Sequence, residues 1–150
     1  MNLCIISNLP KETIELGRKF GSQLKGGEVI CLVGPLGSGK THLIKGIAEG
    51  AGADSAEHSV NSPTFVIINE YQGKFDIYHI DCYRLQSLAE FEMLGFDDYC
   101  YSDSVVLIEW ADKIEQALQE TRSIRIELSH RGLHQRLIVI ENLPGYVKLL

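Results

Sequence analysis

The stretch Glu-Val-Ile-Cys-Leu-Val-Gly-Pro-Leu-Gly-Ser-Gly-Lys-Thr, from residue 28 to residue 41, decides the fold. Residues 28–33 are almost entirely apolar, which is typical of a strand buried on both faces of a parallel sheet. Residues 34–41 match the pattern G-x-x-x-x-G-K-[ST] without a gap. Apolar residues at helical spacing then continue to about Glu49. A buried strand, a glycine-rich turn and a helix in this order predict an α/β domain that binds phosphate groups.

The residue types of this turn suit a phosphate chain with its metal ion. Glycines let backbone N–H groups turn inward towards an anion, and the following helix directs its N-terminal dipole to the same point. The Lys40 ammonium can reach the β- and γ-phosphates, and the Thr41 hydroxyl is a hard oxygen ligand for Mg²⁺. We therefore expect the nucleotide-binding residues to be Gly37, Ser38, Gly39, Lys40, Thr41 and His42, with Lys11 of the first helix beside the base.

Two carboxylates end apolar strands and are candidates for holding Mg²⁺ and orienting an attacking water. Residues 105–109 form a hydrophobic run that ends in Glu109, and residues 77–81 end the same way in Asp81. Because ligands of open α/β sheets lie beyond the carboxyl ends of the strands, both acids should face the phosphate site. We expect Lys40, Asp81 and Glu109 to be the catalytic residues, and Thr41 and Glu109 the metal ligands. In the alternative, each acid caps a following helix or pairs with a surface lysine.

Hydrophobic periodicity predicts the remaining elements. Strands are expected at 3–6, 65–71, 75–81, 104–109, 123–129 and 135–141, of which 65–81 and 123–141 form hairpins. Helices are expected at 10–25, 40–49 and 111–119 and from Ser87 to Gly95, with a polar loop at 53–64. We expect one domain over residues 1–150 with an α/β fold. Its architecture should be a P-loop NTPase-like three-layer sandwich with parallel central strands and antiparallel hairpin additions.

The composition argues against several classes of function. The chain has 14 Lys and Arg against 20 Asp and Glu, for a net charge of −6, which argues against extensive contact with nucleic acid. No apolar stretch is long enough to span a membrane, and the N-terminus lacks the pattern of a signal peptide. The four cysteines have no C-x-x-C spacing, so we expect reduced thiols and a cytoplasmic location. His130 and His134 have the spacing of half a zinc site but flank a predicted turn, so no structural zinc is expected.

Four segments together resemble a known family. They are the P-loop at 34–41, Asn-Ser-Pro-Thr-Phe at 61–65, Tyr-His-Ile-Asp-Cys-Tyr-Arg-Leu at 78–85 and Leu-Ile-Glu-Trp at 107–110. In this order they are similar to TsaE, the small bacterial ATPase needed to make threonylcarbamoyladenosine in tRNA. The likeness covers about residues 10–112, and the three segments beyond the P-loop make it specific.

The resemblance implies hydrolysis of ATP with Mg²⁺ and partnership with the TsaB and TsaD proteins, TsaD being the subunit that transfers threonylcarbamoyl to adenosine. With the acidic charge balance, we expect tRNA to be involved only indirectly. The resemblance places Thr41 and Glu109 near the metal, Asp81 near the γ-phosphate, and a nucleotide-sensing loop at 61–64. Pro35 and His42 depart from the family pattern, which usually has Asp and Thr at these positions, so a hydroxyl beside the phosphates is absent here.

Three residues are expected to act as a switch or to contact partners: Ser62 and Thr64 of the sensing loop, and Trp110 directly after Glu109. The Thr64 hydroxyl could reach Mg²⁺ or the γ-phosphate. Trp110 could shield the site or report on the nucleotide. In the alternative, Trp110 is a half-buried aromatic that only packs.

Two other functions stay open. A small-molecule kinase shares the P-loop and the size, but it needs an acceptor site and usually an arginine-bearing lid, whereas the six arginines here are scattered. A nucleotide-dependent binding switch with negligible turnover would need the γ-phosphate to order residues 58–64. Phosphate release from ATP alone, phosphorylation of a small acceptor and turnover that depends on TsaB–TsaD would distinguish the three.

Overall fold

The computed structural model describes residues 2–54, 57–60, 62 and 64–150, with only the backbone at 57–59. The strands are β1 (Leu3–Ser7), β2 (Val29–Val33), β3 (Glu57–Val60), β4 (Ile67–Gln72), β5 (Asp76–Asp81), β6 (Ser104–Glu109), β7 (Ile124–Arg131) and β8 (Gln135–Glu141). The helices are α1 (Pro10–Gly21), α2 (Lys40–Gly50) and α3 (Leu88–Glu92), and 3₁₀ segments lie at Phe96–Tyr99 and Ala111–Leu118.

The described strands form one sheet in the order β1-β8-β7-β2-β6-β5-β4-β3. The four central strands β7, β2, β6 and β5 run parallel to one another, and the outer pairings are antiparallel. Each predicted hairpin contributes one strand to the parallel set, β5 from β4–β5 and β7 from β7–β8. This confirms the predicted α/β fold with parallel central strands and antiparallel additions.

The sheet lies between two layers of helix because its central strands are buried on both faces. Every residue of β2 and β6 is buried. Along β6, Val105 and Leu107 belong to the core under α1 and α2, whereas Val106 and Ile108 belong to the core under α3 and the Ala111–Leu118 segment. This alternation is the period-2 pattern of a strand with two apolar faces. The predicted three-layer arrangement is confirmed.

Helix α1 packs closely on the P-loop helix α2 through glycines. A Cβ atom added to Gly21 would lie 2.1 Å from the Ile47 carbonyl oxygen, and one added to Gly50 would lie 2.1 Å from the Arg18 carbonyl oxygen. Larger side chains would push the two helices apart. The contact therefore fixes the start of α1 relative to the P-loop.

Three predicted elements differ in the structure. The expected polar loop at 53–64 contains β3, a four-residue edge strand that pairs with β4, so tertiary pairing overrides its polar local composition. Helix α1 ends at Gly21 and not at residue 25, because residues 22–24 turn back onto the carbonyls of its last turn. Residues 111–118 are a 3₁₀ segment with a kink at Ile114. Among the described helices, none has the length and apolar character needed to cross a membrane.

Candidate nucleotide-binding site

A cleft of about 290 Å³ lies at the carboxyl ends of the central strands, where the chain leaves β2 and enters α2. Three parts of the chain line it together with Glu109: the β1–α1 connection, the P-loop and the tip of the β7–β8 hairpin. The lining residues are Asn8, Leu9, Pro10, Thr13, Leu36, Gly37, Ser38, Gly39, Lys40, Thr41, His42, Glu109, Leu133, His134 and Arg136.

The P-loop is compact enough that its first glycine cannot be replaced without displacement of the backbone. A Cβ atom on Gly34 would lie 2.4 Å from the Leu128 carbonyl oxygen and 2.8 Å from Ser38 Oγ, and Gly34 has φ of +153°. Its last glycine, Gly39, takes the left-handed conformation as the residue before α2, and no described side chain caps that helix. The first N–H groups of α2 therefore remain able to bind an anion.

Ser38 has a buried hydroxyl without a partner. The residue is 0% exposed, and Oγ forms no hydrogen bond within the described chain. A buried hydroxyl left unpaired costs free energy, so such a group in a cleft calls for a partner from outside the chain. A phosphate oxygen or a metal-bound water is a chemically suitable partner.

Lys40 is buried, and its ammonium group is held by neutral acceptors. Nζ donates to the Gly34 carbonyl at 2.5 Å and to the Pro35 carbonyl at 3.0 Å. It also lies 4.1 Å from the centre of the Trp110 ring. Burial lowers the pKa of Lys40, and the nearby carboxylates of Glu109, Asp112 and Asp81 partly oppose that shift. A desolvated cation with neutral hydrogen-bond partners is well suited to attract an anionic ligand.

Glu109 lies at the end of β6 and lines the cleft, as predicted from its position after the apolar run. Its side chain is 11% exposed, and Oε1 lies 3.0 Å from Nε2 of His79. Thr41 and His42 are exposed in the first turn of α2 and line the same cleft. The structure thus brings together the two predicted metal ligands, Thr41 and Glu109.

Asp81 is adjacent to this group but does not line the cleft. It pairs in register with Glu109 across β5 and β6, and its charge acts on Lys40. One of its oxygens, Oδ1, accepts a hydrogen bond from the backbone N–H of Tyr83 at 2.9 Å. Asp81 therefore caps the turn after β5 with Oδ1.

Two of the three predicted switch residues, Ser62 and Thr64, contact each other, whereas Trp110 contacts other residues. Ser62 Oγ is 3.3 Å from Thr64 Oγ1, which also accepts from the Val66 N–H at 3.2 Å. Trp110 has a positive φ of 60° and packs against Tyr83, with the ring centres 5.0 Å apart. It also packs on the core below α3 and lies 4.1 Å from Lys40 Nζ, so its predicted role stays a prediction. Asn61 of the sensing loop lies outside the described residues.

Sequence reasoning missed several groups that the fold brings to the site. These are His79 beside Glu109, Asp112 near Lys40, and the cleft residues Asn8, Leu9, Pro10, Leu133, His134 and Arg136. The sequence predicts His134 only as a turn residue. The tip of the β7–β8 hairpin reaches the P-loop because β7 is the parallel neighbour of β2. No local sequence motif predicts that pairing. Lys11 is exposed on α1 and is not among the described residues of the cleft wall, so its predicted role stays a prediction.

A second cleft, of about 510 Å³, adjoins the first on the other side of Thr41. It lies between α2 and strands β4 and β5. Thr41, Ile44, Lys45, Ala48, Asn69 and His79 are among its lining residues. Thr41 is the residue that both clefts share, so the second cleft opens beside the predicted metal position.

Comparison with known proteins identifies the family. The profile of the family described as "Threonylcarbamoyl adenosine biosynthesis protein TsaE" matches residues 7–138. The chain belongs to the TsaE family. The match contains the P-loop, Asp81, Glu109 and the hairpin tip, so the TsaE profile covers all parts of the first cleft. The resemblance stated from the sequence is confirmed.

Individual TsaE proteins and a solved structure support the same family assignment. The chain is 42% identical to the tRNA threonylcarbamoyladenosine biosynthesis protein TsaE of Bacillus subtilis over 142 residues, which cover 94% of this chain and 86% of the relative. It is 36% identical to the TsaE protein of Treponema pallidum, over 81% of this chain and 90% of that protein. The crystal structure of Bacillus subtilis YdiB superposes with a TM-score of 0.77 and 30% identity, covering 98% of this chain and 89% of YdiB.

Proposed function

We propose that this TsaE-family chain is an ATPase that uses Mg²⁺, is slow alone, and acts in threonylcarbamoyladenosine biosynthesis together with the TsaB–TsaD complex. The observation that carries the proposal is the meeting of four groups in one cleft: the unpaired Ser38 hydroxyl, the buried Lys40 ammonium, the Thr41 hydroxyl and the Glu109 carboxylate. Each supplies a donor, a positive charge or an oxygen ligand that a Mg²⁺-triphosphate requires.

The P-loop would hold the phosphates through backbone and side-chain donors. The free N–H groups at the start of α2 and the Ser38 hydroxyl face the cleft, and Lys40 can exchange its two carbonyl acceptors for phosphate oxygens. Such an exchange replaces neutral carbonyl acceptors with anionic phosphate oxygens, so the ammonium gains a Coulombic attraction that the carbonyls do not provide. The geometry thus favours binding of a phosphate chain over the empty arrangement.

Thr41 and Glu109 would hold the metal, with phosphate oxygens and waters completing its coordination. No cluster of three or more acidic, histidine or cysteine ligands occurs in the described parts of the chain, which suits a metal that arrives with its nucleotide. When bound there, Mg²⁺ would neutralise charge on the β- and γ-phosphates during hydrolysis. Glu109, at the end of β6 and in the wall of the cleft, would orient the attacking water.

The nucleoside would lie towards the β1–α1 connection and the β7–β8 hairpin tip. Leu9 and Leu133 are 46% and 83% exposed and supply apolar contact for a base, while Asn8, His134 and Arg136 supply polar groups. An exposed leucine of this kind is stabilised when a planar ligand covers it. This arrangement supports a nucleotide rather than inorganic phosphate as the ligand.

A partner surface is supported by apolar side chains beside the sensing loop. Phe65, Ile67 and Tyr83 are 63%, 44% and 44% exposed, and Ile67 pairs in register with Asp81 at the end of β5. Grouped exposed apolar residues of this kind are typical of protein contacts. A partner that binds one nucleotide state through this surface would couple hydrolysis to work by its differential affinity. The acidic net charge of −6 favours a protein partner, with tRNA involved only indirectly.

The proposal is tested by phosphate release from Mg²⁺-ATP by the chain alone and after addition of purified TsaB–TsaD. We expect slow release alone and a clear acceleration with the partners. EDTA should abolish both rates because the phosphate charge is no longer neutralised. Equal rates with and without TsaB–TsaD would contradict the partnership, and release that persists in EDTA would contradict the Mg²⁺ requirement.

The sensing loop provides a prediction for the same assay. Thr64→Ala removes the hydroxyl that accepts a hydrogen bond from the Val66 N–H and lies 3.3 Å from Ser62 Oγ. The loop therefore loses these internal hydrogen bonds. We expect the partner-dependent rate to fall several-fold while affinity for ADP is unchanged. Thr64→Ser keeps the hydroxyl and is the matched control, which should retain most of the rate. A Thr64→Ala protein that is accelerated normally would remove this loop from the switch.

The second cleft favours one alternative, a small-molecule kinase. It opens beside Thr41, where an acceptor could approach the γ-phosphate, and Lys45 offers a polar contact. Incubation with ATP and mixtures of small hydroxyl and amine acceptors, followed by mass spectrometry, would reveal a phosphorylated product. Free phosphate without any phosphorylated acceptor would favour the ATPase.

A further inference from the structure

His79 contacts Glu109 from the neighbouring strand, and the fold holds both side chains in place. The two residues lie on the parallel strands β5 and β6, and His79 pairs in register with Leu107, two residues before Glu109. Because side chains alternate along a strand, His79 and Glu109 project from the same face of the sheet. Their side chains are 12% and 11% exposed, and Nε2 lies 3.0 Å from Oε1.

The contact determines which carboxylate oxygen faces the ligand. A carboxylate accepts hydrogen bonds, so the histidine donates from Nε2–H to Oε1. Glu109 lines the first cleft and His79 lines the second, so this hydrogen bond forms part of the wall between them. Because Oε1 accepts the hydrogen bond from His79, Oε2 is the oxygen left for a cation or a water in the first cleft.

We propose that His79 is a positioning residue that orients Glu109 by donating a hydrogen bond to Oε1, so that Oε2 is presented to the Mg²⁺-nucleotide. The proposal rests on the proposed function and deepens it. His79 itself contacts neither phosphate nor metal. Hydrogen-bond partners of a ligating carboxylate lower the freedom of the ligand, and their loss typically reduces metal affinity by about 10- to 100-fold.

The experiment measures binding of Mn²⁺, a spectroscopic substitute for Mg²⁺, by electron paramagnetic resonance in the presence of the β,γ-imido analogue of ATP. We expect His79→Leu to weaken Mn²⁺ binding by roughly tenfold or more. Binding of the analogue in EDTA should be unchanged, because the phosphate cradle does not involve His79. His79→Gln places a side-chain N–H₂ donor near the same position and should restore Mn²⁺ affinity to within about threefold of wild type.

Asn69→Ala is the matched control. Asn69 pairs with His79 across β4 and β5, is half-buried like it and lines the same second cleft. We expect its Mn²⁺ affinity and its thermal midpoint to match wild type. Thermal unfolding of all three variants shows whether each one folds. If His79→Leu does not fold, His79→Gln still tests the proposal.

Specific outcomes overturn the proposal. Wild-type Mn²⁺ affinity in His79→Leu, no recovery in His79→Gln, or an equal loss in Asn69→Ala would each show that the histidine is not a specific positioning group. These results would leave nucleotide binding by the wild type intact. Failure of the wild type to bind Mn²⁺ with the analogue would instead overturn the proposed function, and the positioning proposal with it.

Discussion

Two buried glutamates lie at opposite ends of the central strands, and their surroundings differ. Glu28, directly before β2, and Glu109, at the end of β6, are each 8% exposed. Glu28 accepts hydrogen bonds from the N–H groups of Lys25 and Gly26, both at 2.8 Å, and from the Tyr146 hydroxyl at 2.7 Å. Within the described chain, the Glu109 carboxylate has one hydrogen bond, with His79 at 3.0 Å.

The two carboxylates differ in how far the described chain supplies their hydrogen-bond donors. Burial of a charged group costs free energy unless donors or opposite charges replace water. At Glu28 the chain supplies three donors. Through the Tyr146 hydroxyl, the carboxylate also links the C-terminal segment to the start of β2. At Glu109 the described chain supplies one donor and the nearby charge of Lys40, and the side chain lines a cleft that a ligand could enter. Burial alone therefore does not distinguish the two acids, whereas the number of internal donors does.

The largest expected effect is the loss of ATP affinity when Lys40, the cation near Glu109, is replaced. Lys40→Ala removes the charge-assisted hydrogen bonds to phosphate, each of which contributes about 1.5–3 kcal/mol. We expect ATP affinity to fall by roughly 100-fold, measured by calorimetry, while the free energy of unfolding changes little. Lys40→Met fills the same space without the charge and should show the same loss. Unchanged affinity in both variants would contradict the assignment of the P-loop.

The second prediction changes the charge of Glu109 and keeps its shape. Glu109→Gln can still accept from His79, but it loses the anion that faces metal and water. We expect turnover with Mg²⁺ to fall by about 100-fold or more, and the affinity for ATP in EDTA by less than about threefold. Phosphate release with Mg²⁺ and calorimetry in EDTA give the two quantities. If turnover is normal, the essential acid is elsewhere, and Asp81→Asn is the next variant to measure.

The third prediction makes the same substitution at the other end of the sheet. In Glu28→Gln an N–H₂ group replaces one of two oxygens that accept hydrogen bonds, so at least one donor loses its acceptor. We expect the free energy of unfolding to fall by about 1–3 kcal/mol in urea titrations, with ATP affinity and turnover unchanged. A loss of turnover comparable to that of Glu109→Gln would end the distinction between the two acids.

The smallest expected effect is at Tyr146, the side-chain donor to Glu28. Burial and the hydrogen bond to Glu28 raise the pKa of Tyr146 from 10 to about 12. The protonated form is therefore favoured in the folded state, so this contribution is fully present below pH 10 and is lost as pH rises to 12. Tyr146→Phe should lower the free energy of unfolding by about 0.5–1 kcal/mol at pH 8, and the difference from wild type should vanish towards pH 12. A constant difference across that range would contradict the linkage.

The sequence alone determined the features that depend on neighbouring residues. The apolar run of β2, the glycine turn and helix α2 follow one another without interruption, so the phosphate-binding segment was predictable as a unit. Strand periodicity also placed Glu109 at a carboxyl end, and the hairpins at 65–81 and 123–141 followed from two alternating runs around a turn. These are consequences of local backbone geometry and of the period of side-chain burial.

Only the tertiary structure decided which of these segments meet. The strand order places the β7–β8 hairpin tip beside the P-loop, His79 beside Glu109, and Trp110 over Lys40. It also makes a strand of residues 57–60, because β4 offers an edge with unpaired hydrogen-bonding groups. Contacts between residues distant in the chain depend on how whole faces pack and pair. Hydrophobic periodicity indicates that one face of a strand or helix is buried, but it does not indicate which element packs against that face.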